Sequence, residues 1–419
     1  MGVFRIRYGF EKYLLILLLF LLPTQLALHI WPSWSFVYGI RVDFLSVSIY
    51  LTDVLVCTLF IVDFLNRKIF LIFFKQNRIV LAFFIAIVIL NSIFSVSPQL
   101  TLYRWFKVLE YIFLGTYFAK TQELNLGIIT KTLFYSSGIF SCIGIIQFFK
   151  SSTIGGVFYF LGERTFGMGT PGIALVSLGG AEHLRAYSTF SHPNSLAGYL
   201  GAILVFAILS KKLKINTYNL ISLFVILICL VLTFSVSAYI GIFFVFAFYL
   251  FSREWKIFSR LVTPTFYLFV FGSLLLPIFS ETIMEVFPYF GQNVEQRLDL
   301  AYMSGQIISS GFVFGKGLGT FIVNIPGLKG IFSYSWLLQP VHNIFLLVLS
   351  ETGIGGLMIF LFLIHKGLVS MLSNKRLYLL LPILFILFTG LFDHYSLTLQ
   401  QNVLLFSIFM GLAFNGKMA

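Results

Sequence analysis

Three stretches of this sequence carry the residues best suited to chemistry. The first, HLRAYSTFSHPNSLAGYLG, holds Arg185 seven residues before His192, with Pro193 and Asn194 following. A guanidinium never loses its charge, and its planar fork meets phosphate oxygens two at a time. The second, PYFGQNVEQRLDLAYMSGQIISSGFVFGKGLGTF, carries Arg297 and then Gly311, Gly315, Gly317 and Gly319. These glycines predict a sharply turning loop whose backbone can approach a ligand closely. It lacks the GK[ST] ending of a P-loop, and no βαβ pattern surrounds it as a dinucleotide site requires. The third, SWLLQPVHNIFLLVLSETGIGGL, sets His342 two residues after Pro340 and next to Asn343. Glu351 lies nine residues on, with Gly353 and Gly356 breaking the helix beyond. A neutral imidazole that titrates near neutrality can take a proton from a hydroxyl. Each residue also has a plainer reading: the arginines as lipid-headgroup anchors, the histidines as hydrogen-bonded packing residues.

A fourth stretch, LTLYRWFKVLEYIFLG, places Arg104, Lys107 and Glu110 three apart on one helical stripe inside an apolar run. Ionisable groups at membrane depth are costly and face a bundle interior or a polar cavity. The stripe is therefore either a structural ion pair or one wall of an anionic-substrate cavity. Asp53, inside another apolar run, poses the same choice.

The elements that hold these residues are hydrophobic throughout. Of 419 residues 59% are hydrophobic and only 10% charged, and phenylalanine occurs 52 times. No soluble fold hides that much apolar surface. Disorder, a disulfide scaffold, a coiled coil and a soluble enzyme are excluded, leaving an all-α polytopic membrane protein as the fold class. Cys57, Cys142 and Cys229 each sit in an apolar run and offer neither a disulfide framework nor a CxxC metal site.

Apolar runs of roughly 20 residues suit a bilayer crossing. About twelve are read here, near 13–31, 46–64, 79–95, 101–119, 128–149, 194–210, 217–233, 235–251, 261–280, 353–366, 377–392 and 396–414. Trp31 and Trp34, with no cleavage site after the first run, mark it as a retained span. Lysine and arginine alternate between the loops. One side takes Arg5, Arg7, Lys12, Arg67, Lys68, Lys211, Lys212, Arg253, Lys366 and Lys417. The positive-inside rule makes that side cytoplasmic, with both termini inside. The net charge of +13 is thus a topology signal and no nucleic-acid stripe. The whole chain reads as a single transmembrane domain, 1–419, with two long extracytoplasmic segments, 150–193 and 281–352. In the second, Val294, Leu298, Ala301 and Tyr302 are spaced as on an amphipathic helix, with Glu295 and Arg297 off the stripe.

Taken together, Arg185…His192-Pro193-Asn194, Arg297…Gly317-Leu318-Gly319…Phe321 and QPVHN with its trailing E-x-G resemble the bacterial O-antigen ligase and O-antigen polymerase superfamily. The likeness covers about residues 180–395 by motif and the whole chain by span pattern. It implies a C-type, lipid-embedded glycosyltransferase-like fold in the bacterial cytoplasmic (inner) membrane, with the active site on the extracytoplasmic face. It also implies a glycan donor on undecaprenyl diphosphate, a glycolipid or glycan acceptor such as lipid A-core, and inverting transfer with neither cofactor nor metal. Arg185 and Arg297 would hold the donor diphosphate, and His342 would activate the acceptor hydroxyl. His192, Asn194, Gly317, Gly319, Asn343, Glu351, Gly353 and Asp393 would support them, with Glu351 or Asp393 orienting the imidazole. One departure stands out: where relatives often carry Ser-Arg-Ser/Gly-Ala, this chain has Ser235-Val236-Ser237-Ala238. The expected functions are ligase-type transfer, repeat-unit polymerisation, or, from another class, a lipid-linked-glycan flippase or transporter.

Overall fold

A computed structural model describes residues 9–251, 254–286, 291–331 and 337–416. Arg5, Arg7, Arg253 and Lys417, part of the expected topology signal, lie outside them. The described chain is mostly helical, with three two-stranded antiparallel ribbons. Among the described residues, four helices are long and apolar enough to cross a membrane: Leu126–Lys150, Pro193–Ser210, Trp255–Leu274 and Ile344–Ser373. The pair Ile69–Gln76 and Arg78–Ile93, bent by 94°, makes a fifth if it counts as one broken span.

The expected twelve are therefore not all present as full-length spans. Thr217–Leu232 has 16 residues, which reach about 24 Å against a hydrocarbon core of about 30 Å. Val236–Phe251, Leu377–Thr389 and Gln400–Ala413 are likewise apolar but short. The first expected span, 13–31, ends early as the helix Phe10–Phe20. Its remainder forms a strand, Ala27–Ile30, paired antiparallel with Val47–Tyr50, so that His29 lies opposite Ser48. Apolarity alone does not separate such a ribbon from helix, and the deciding contact comes from twenty residues away.

Small residues draw the helices together. A Cβ on Gly411 would lie 2.2 Å from the carbonyl oxygen of Gly115, so Gln400–Ala413 and Pro98–Lys120 meet backbone to backbone. That contact seats Gln400 beside the charged stripe, with Tyr111 donating to Gln400 Oε1 at 3.0 Å. Similarly, Gly201 leaves room for Phe385 where Leu377–Thr389 packs on Pro193–Ser210.

The long segment 281–352 contains a 19-residue helix, Gln292–Ser310, packed on Leu276–Val286 and Ile344–Ser373. Leu298 and Ala301 are buried as the periodicity predicts, whereas Val294 is exposed and Tyr302 half-buried. The segment 150–193 carries a short ribbon, Leu175–Leu178 against Ala181–Leu184, which ends on Arg185.

Candidate active site

Five chain segments meet at the loop after Leu377–Thr389. His192 caps Pro193–Ser210, its Nδ1 accepting from Asn194 N at 3.1 Å, and Pro193 takes the first helical turn, where a missing N–H costs nothing. Asn194 reaches in two directions. Its Oδ1 accepts from Arg185 Nη2 at 2.8 Å, and its Nδ2 donates to Asp393 Oδ2 at 3.0 Å. Asp393 Oδ1 accepts from His394 N at 2.8 Å and lies 3.6 Å from His342 Nδ1, an ion-pair distance longer than a hydrogen bond. Arg297 donates Nη1 to the carbonyl of Phe392 at 2.8 Å.

His342 is held in place by its neighbour. Asn343 caps Ile344–Ser373, its Oδ1 accepting from Phe345 N at 2.9 Å and Leu346 N at 3.0 Å, while its Nδ2 donates to Leu391 O at 3.2 Å. Ile344 N adds a bond to Gly390 O at 2.9 Å. The capping geometry thus fastens His342 to the loop that bears Asp393.

Arg185, Arg297, His192, His342, Asn194, Asn343 and Asp393 are therefore brought together. Glu351, Gly317, Gly319 and Gly353 are not. The Glu351 carboxylate accepts from Gly319 N at 2.8 Å and Phe321 N at 3.2 Å, so it holds the glycine loop and does not orient His342. The loop itself approaches protein and not ligand: a Cβ on Gly317 would lie 2.1 Å from Ser95 Oγ, and one on Gly319 2.5 Å from Arg104 Cγ. Gly353, at φ 68° and ψ −173°, kinks Ile344–Ser373 against Val313 in a conformation open in practice to glycine alone. Asp393 is the carboxylate that faces His342.

Electrostatics reinforce the arrangement. Burial would raise the Asp393 carboxyl, but the neighbouring histidines, His342 foremost, hold it well below the usual carboxylate range. Burial pushes His394 down to about 3 and His192 down to about 4. At His192 the Asp393 charge opposes that shift, while Arg185, His342 and Arg297 add to it. With its folded pKa depressed, His192 contributes stability above about 6.5, lost as pH falls toward 4, because only the unfolded chain takes the proton in that window. His192→Asn keeps a capping acceptor without a titrating group. Its melting temperature is expected to fall less than that of the wild type between pH 7.5 and 4.5, and equal falls would remove His192 from the acid response.

His342, Asp393 and His394 also form the one grouping among the described residues with metal-ligating character, their ligand atoms lying within 4.8 Å of one another. Such a nitrogen and carboxylate set suits a zinc-like ion.

His192, His342, Asp393 and His394 line one part of a cavity of about 640 Å³. Arg185 and Arg297 are absent from its lining. Most of the remainder comes from residues 25–111 and 159–165, with Trp31, Arg41, Tyr50, Arg104, Lys107 and Arg164 among them. Lys107 bridges Asp53 Oδ1 at 2.7 Å and Glu110 Oε2 at 2.6 Å. The charged stripe is accordingly both ion pair and cavity wall.

Residues 221–361 match the family model for O-antigen ligase, Wzy_C. The match bears out the superfamily recognised from the motifs, and with it the coarse class of ligase- or polymerase-type glycosyl transfer in a membrane protein. Arg297, Gly317, Gly319, His342, Asn343, Glu351 and Gly353 fall inside the matched stretch; Arg185, His192, Asn194 and Asp393 fall outside it. No individually curated protein matches the chain. Within the matched stretch Val236 stands where the resemblance implies an arginine, just after the turn at Thr233 and Phe234. Here Arg185 reaches that turn from outside, its Nε donating to Thr233 O at 2.6 Å and its Nη2 to Phe234 O at 3.2 Å.

Sequence reasoning does not single out His394, which lies beside Asp393, or the part of the cavity wall around Trp31, Arg41 and Arg164. A signal for the wall existed in Arg104 and Lys107, but not for the ribbon residues, whose polar atoms alternate along apolar runs.

Proposed function

We propose that the protein is a glycosyltransferase of the O-antigen ligase type. It moves a glycan from undecaprenyl diphosphate to an acceptor hydroxyl at the outer face of the bacterial cytoplasmic membrane, as a multi-pass protein with both termini inside. The observation that carries this reading is the chain of contacts from Arg185 through Asn194 and Asp393 to His342, with Arg297 on the adjoining carbonyl.

Asp393 faces His342 Nδ1, which leaves Nε2 to take the proton from the acceptor hydroxyl. The freed oxygen attacks the anomeric carbon from the side opposite the diphosphate. The C–O bond to the diphosphate breaks, and its electron pair leaves on undecaprenyl diphosphate. Guanidinium groups at Arg297 and Arg185 offset the charge that builds on the bridging oxygen, and a single fixed donor of this kind is typically worth about 3–4 kcal/mol. Inversion and independence from metal are parts of the same proposal.

A reconstituted assay with undecaprenyl-diphosphate glycan as donor tests it, offering a truncated lipid core or a second donor molecule as acceptor. Product with the lipid core supports ligase-type transfer; product with the second donor alone moves the activity to repeat-unit polymerisation. No product, with donor crossing the bilayer, moves it to transport. In this assay Arg297→Lys is expected to lose most activity, because a point charge cannot supply the fork, and near-wild-type turnover would remove the clamp role. EDTA is expected to leave the rate unchanged. Strong inhibition reversed by a divalent cation would overturn the metal-free step and assign the ion to His342, Asp393 and His394.

A further inference from the structure

The cavity beside His342 is built largely from residues outside the matched family stretch, and three arginines line it. Three acidic side chains around it are already committed. The Glu163 carboxylate accepts from Gln147 Nε2, Ile154 N and Gly155 N, each at 2.7 Å. Asp53 and Glu110 share Lys107. Beside these stand Arg41, Arg104 and Arg164, two of which share the carboxylate of Asp43. Arg41 Nε lies 3.9 Å and Arg164 Nη2 3.4 Å from Asp43, with the arginine side chains 58% and 44% exposed. The Arg104 guanidinium donates to the carbonyl of Phe44 and is in no ion pair among the described residues.

Around these charges the lining is aromatic and hydrogen-bonding. Tyr50, Tyr103 and Tyr111 contribute rings with polar tips, and Arg41 lies 4.4 Å over the Trp31 ring. Gln25 Oε1 and Trp31 Nε1, on two lining residues, are buried with no hydrogen-bond partner among the described residues.

We propose that this wall is the acceptor subsite and selects an anionic saccharide, one bearing a carboxylate or phosphate on the sugar. The assignment to the acceptor rests on the transferase reading above. His342 lines the cavity while Arg185 and Arg297 do not, so the hydroxyl that His342 activates arrives from the cavity side. Arg41 and Arg164, which also pair with Asp43, hold the anion, and the tyrosines meet the sugar.

The test is direct binding to the full-length protein in lipid nanodiscs. One probe pair is digalacturonic acid and its neutral dimethyl ester; the other is glucose 6-phosphate and glucose. A charge-assisted contact predicts about a tenfold or greater preference for the charged member. In Arg41→Gln/Arg164→Gln the preference should collapse to within about threefold, while Arg41→Lys/Arg164→Lys should keep part of it. Preference limited to digalacturonate assigns a uronic acid, and preference limited to the phosphate assigns a phosphorylated sugar. Equal binding within both pairs, a preference untouched by the glutamine variant, or no binding of any probe overturns the subsite. His342-dependent transfer without acid preference would sink the subsite alone. Acid preference without transfer to any acceptor would sink the transferase reading and leave a saccharide-binding site.

Discussion

His342→Ala is expected to lower the rate of glycan transfer by about 10²–10⁴-fold, with donor binding left close to that of the wild type. A sugar hydroxyl is a poor nucleophile, and the His342 imidazole both lines the cavity and faces the buried Asp393 carboxylate. The contacts that shape the surrounding loop do not pass through the His342 side chain. Asn343 caps the helix, Ile344 bonds Gly390, and Asn194 reaches Asp393 directly. The alanine variant should therefore fold, and its defect should appear in kcat and not in KM for the donor. His342→Gln makes a useful companion, since it restores polarity without a base of suitable pKa. Transfer by either variant at more than a tenth of the wild-type rate would exclude His342 as the general base.

The parts of this site that could be read from sequence are those whose geometry is local. Pro193 fixes the start of a helix, so His192 as its cap and Asn194 in its first turn follow from three consecutive residues. His342 and Asn343 are equally local, set by Pro340 and the apolar run that follows. Asp393 was flagged by family likeness alone, because its partners Asn194 and His342 lie 199 and 51 positions away (393 − 194 and 393 − 342). Glu351 shows the opposite error. It is one of the two carboxylates expected to orient His342, but the nine residues between them carry it well over two helical turns away, to the backbone of the glycine loop. The N-terminal ribbon was hidden for another reason: in so apolar a chain, Ala27–Ile30 and Val47–Tyr50 have the composition of the helices on either side. The bilayer-facing signal swamps the alternation that normally marks a strand.

Asp393→Asn should be nearly as damaging as loss of the histidine, through a different route. The carboxylate is 5% exposed and serves three neighbours, accepting from Asn194 Nδ2 and His394 N while facing His342 Nδ1. An asparagine of the same shape offers one acceptor oxygen and one donor nitrogen. It must present N–H to a donor on one side, or surrender the group that fixes His342 on the other. Leaving a buried hydrogen-bonding group unsatisfied typically costs about 1–3 kcal/mol, and part of that should appear as a lower melting temperature. The catalytic part is separable. Losing the group that orients an imidazole is expected to reduce kcat by about 10²-fold or more, with KM for the donor little changed, since the arginines do not depend on the Asp393 charge for their own backbone contacts. Asn194→Ala supplies the contrast: it severs Arg185 from Asp393 but leaves Asp393 facing His342. That variant should raise KM for the donor more than it lowers kcat. If instead Asn194→Ala and Asp393→Asn shift the same parameter by the same factor, Asp393 acts only by holding the loop together, and the pairing with His342 has no catalytic meaning.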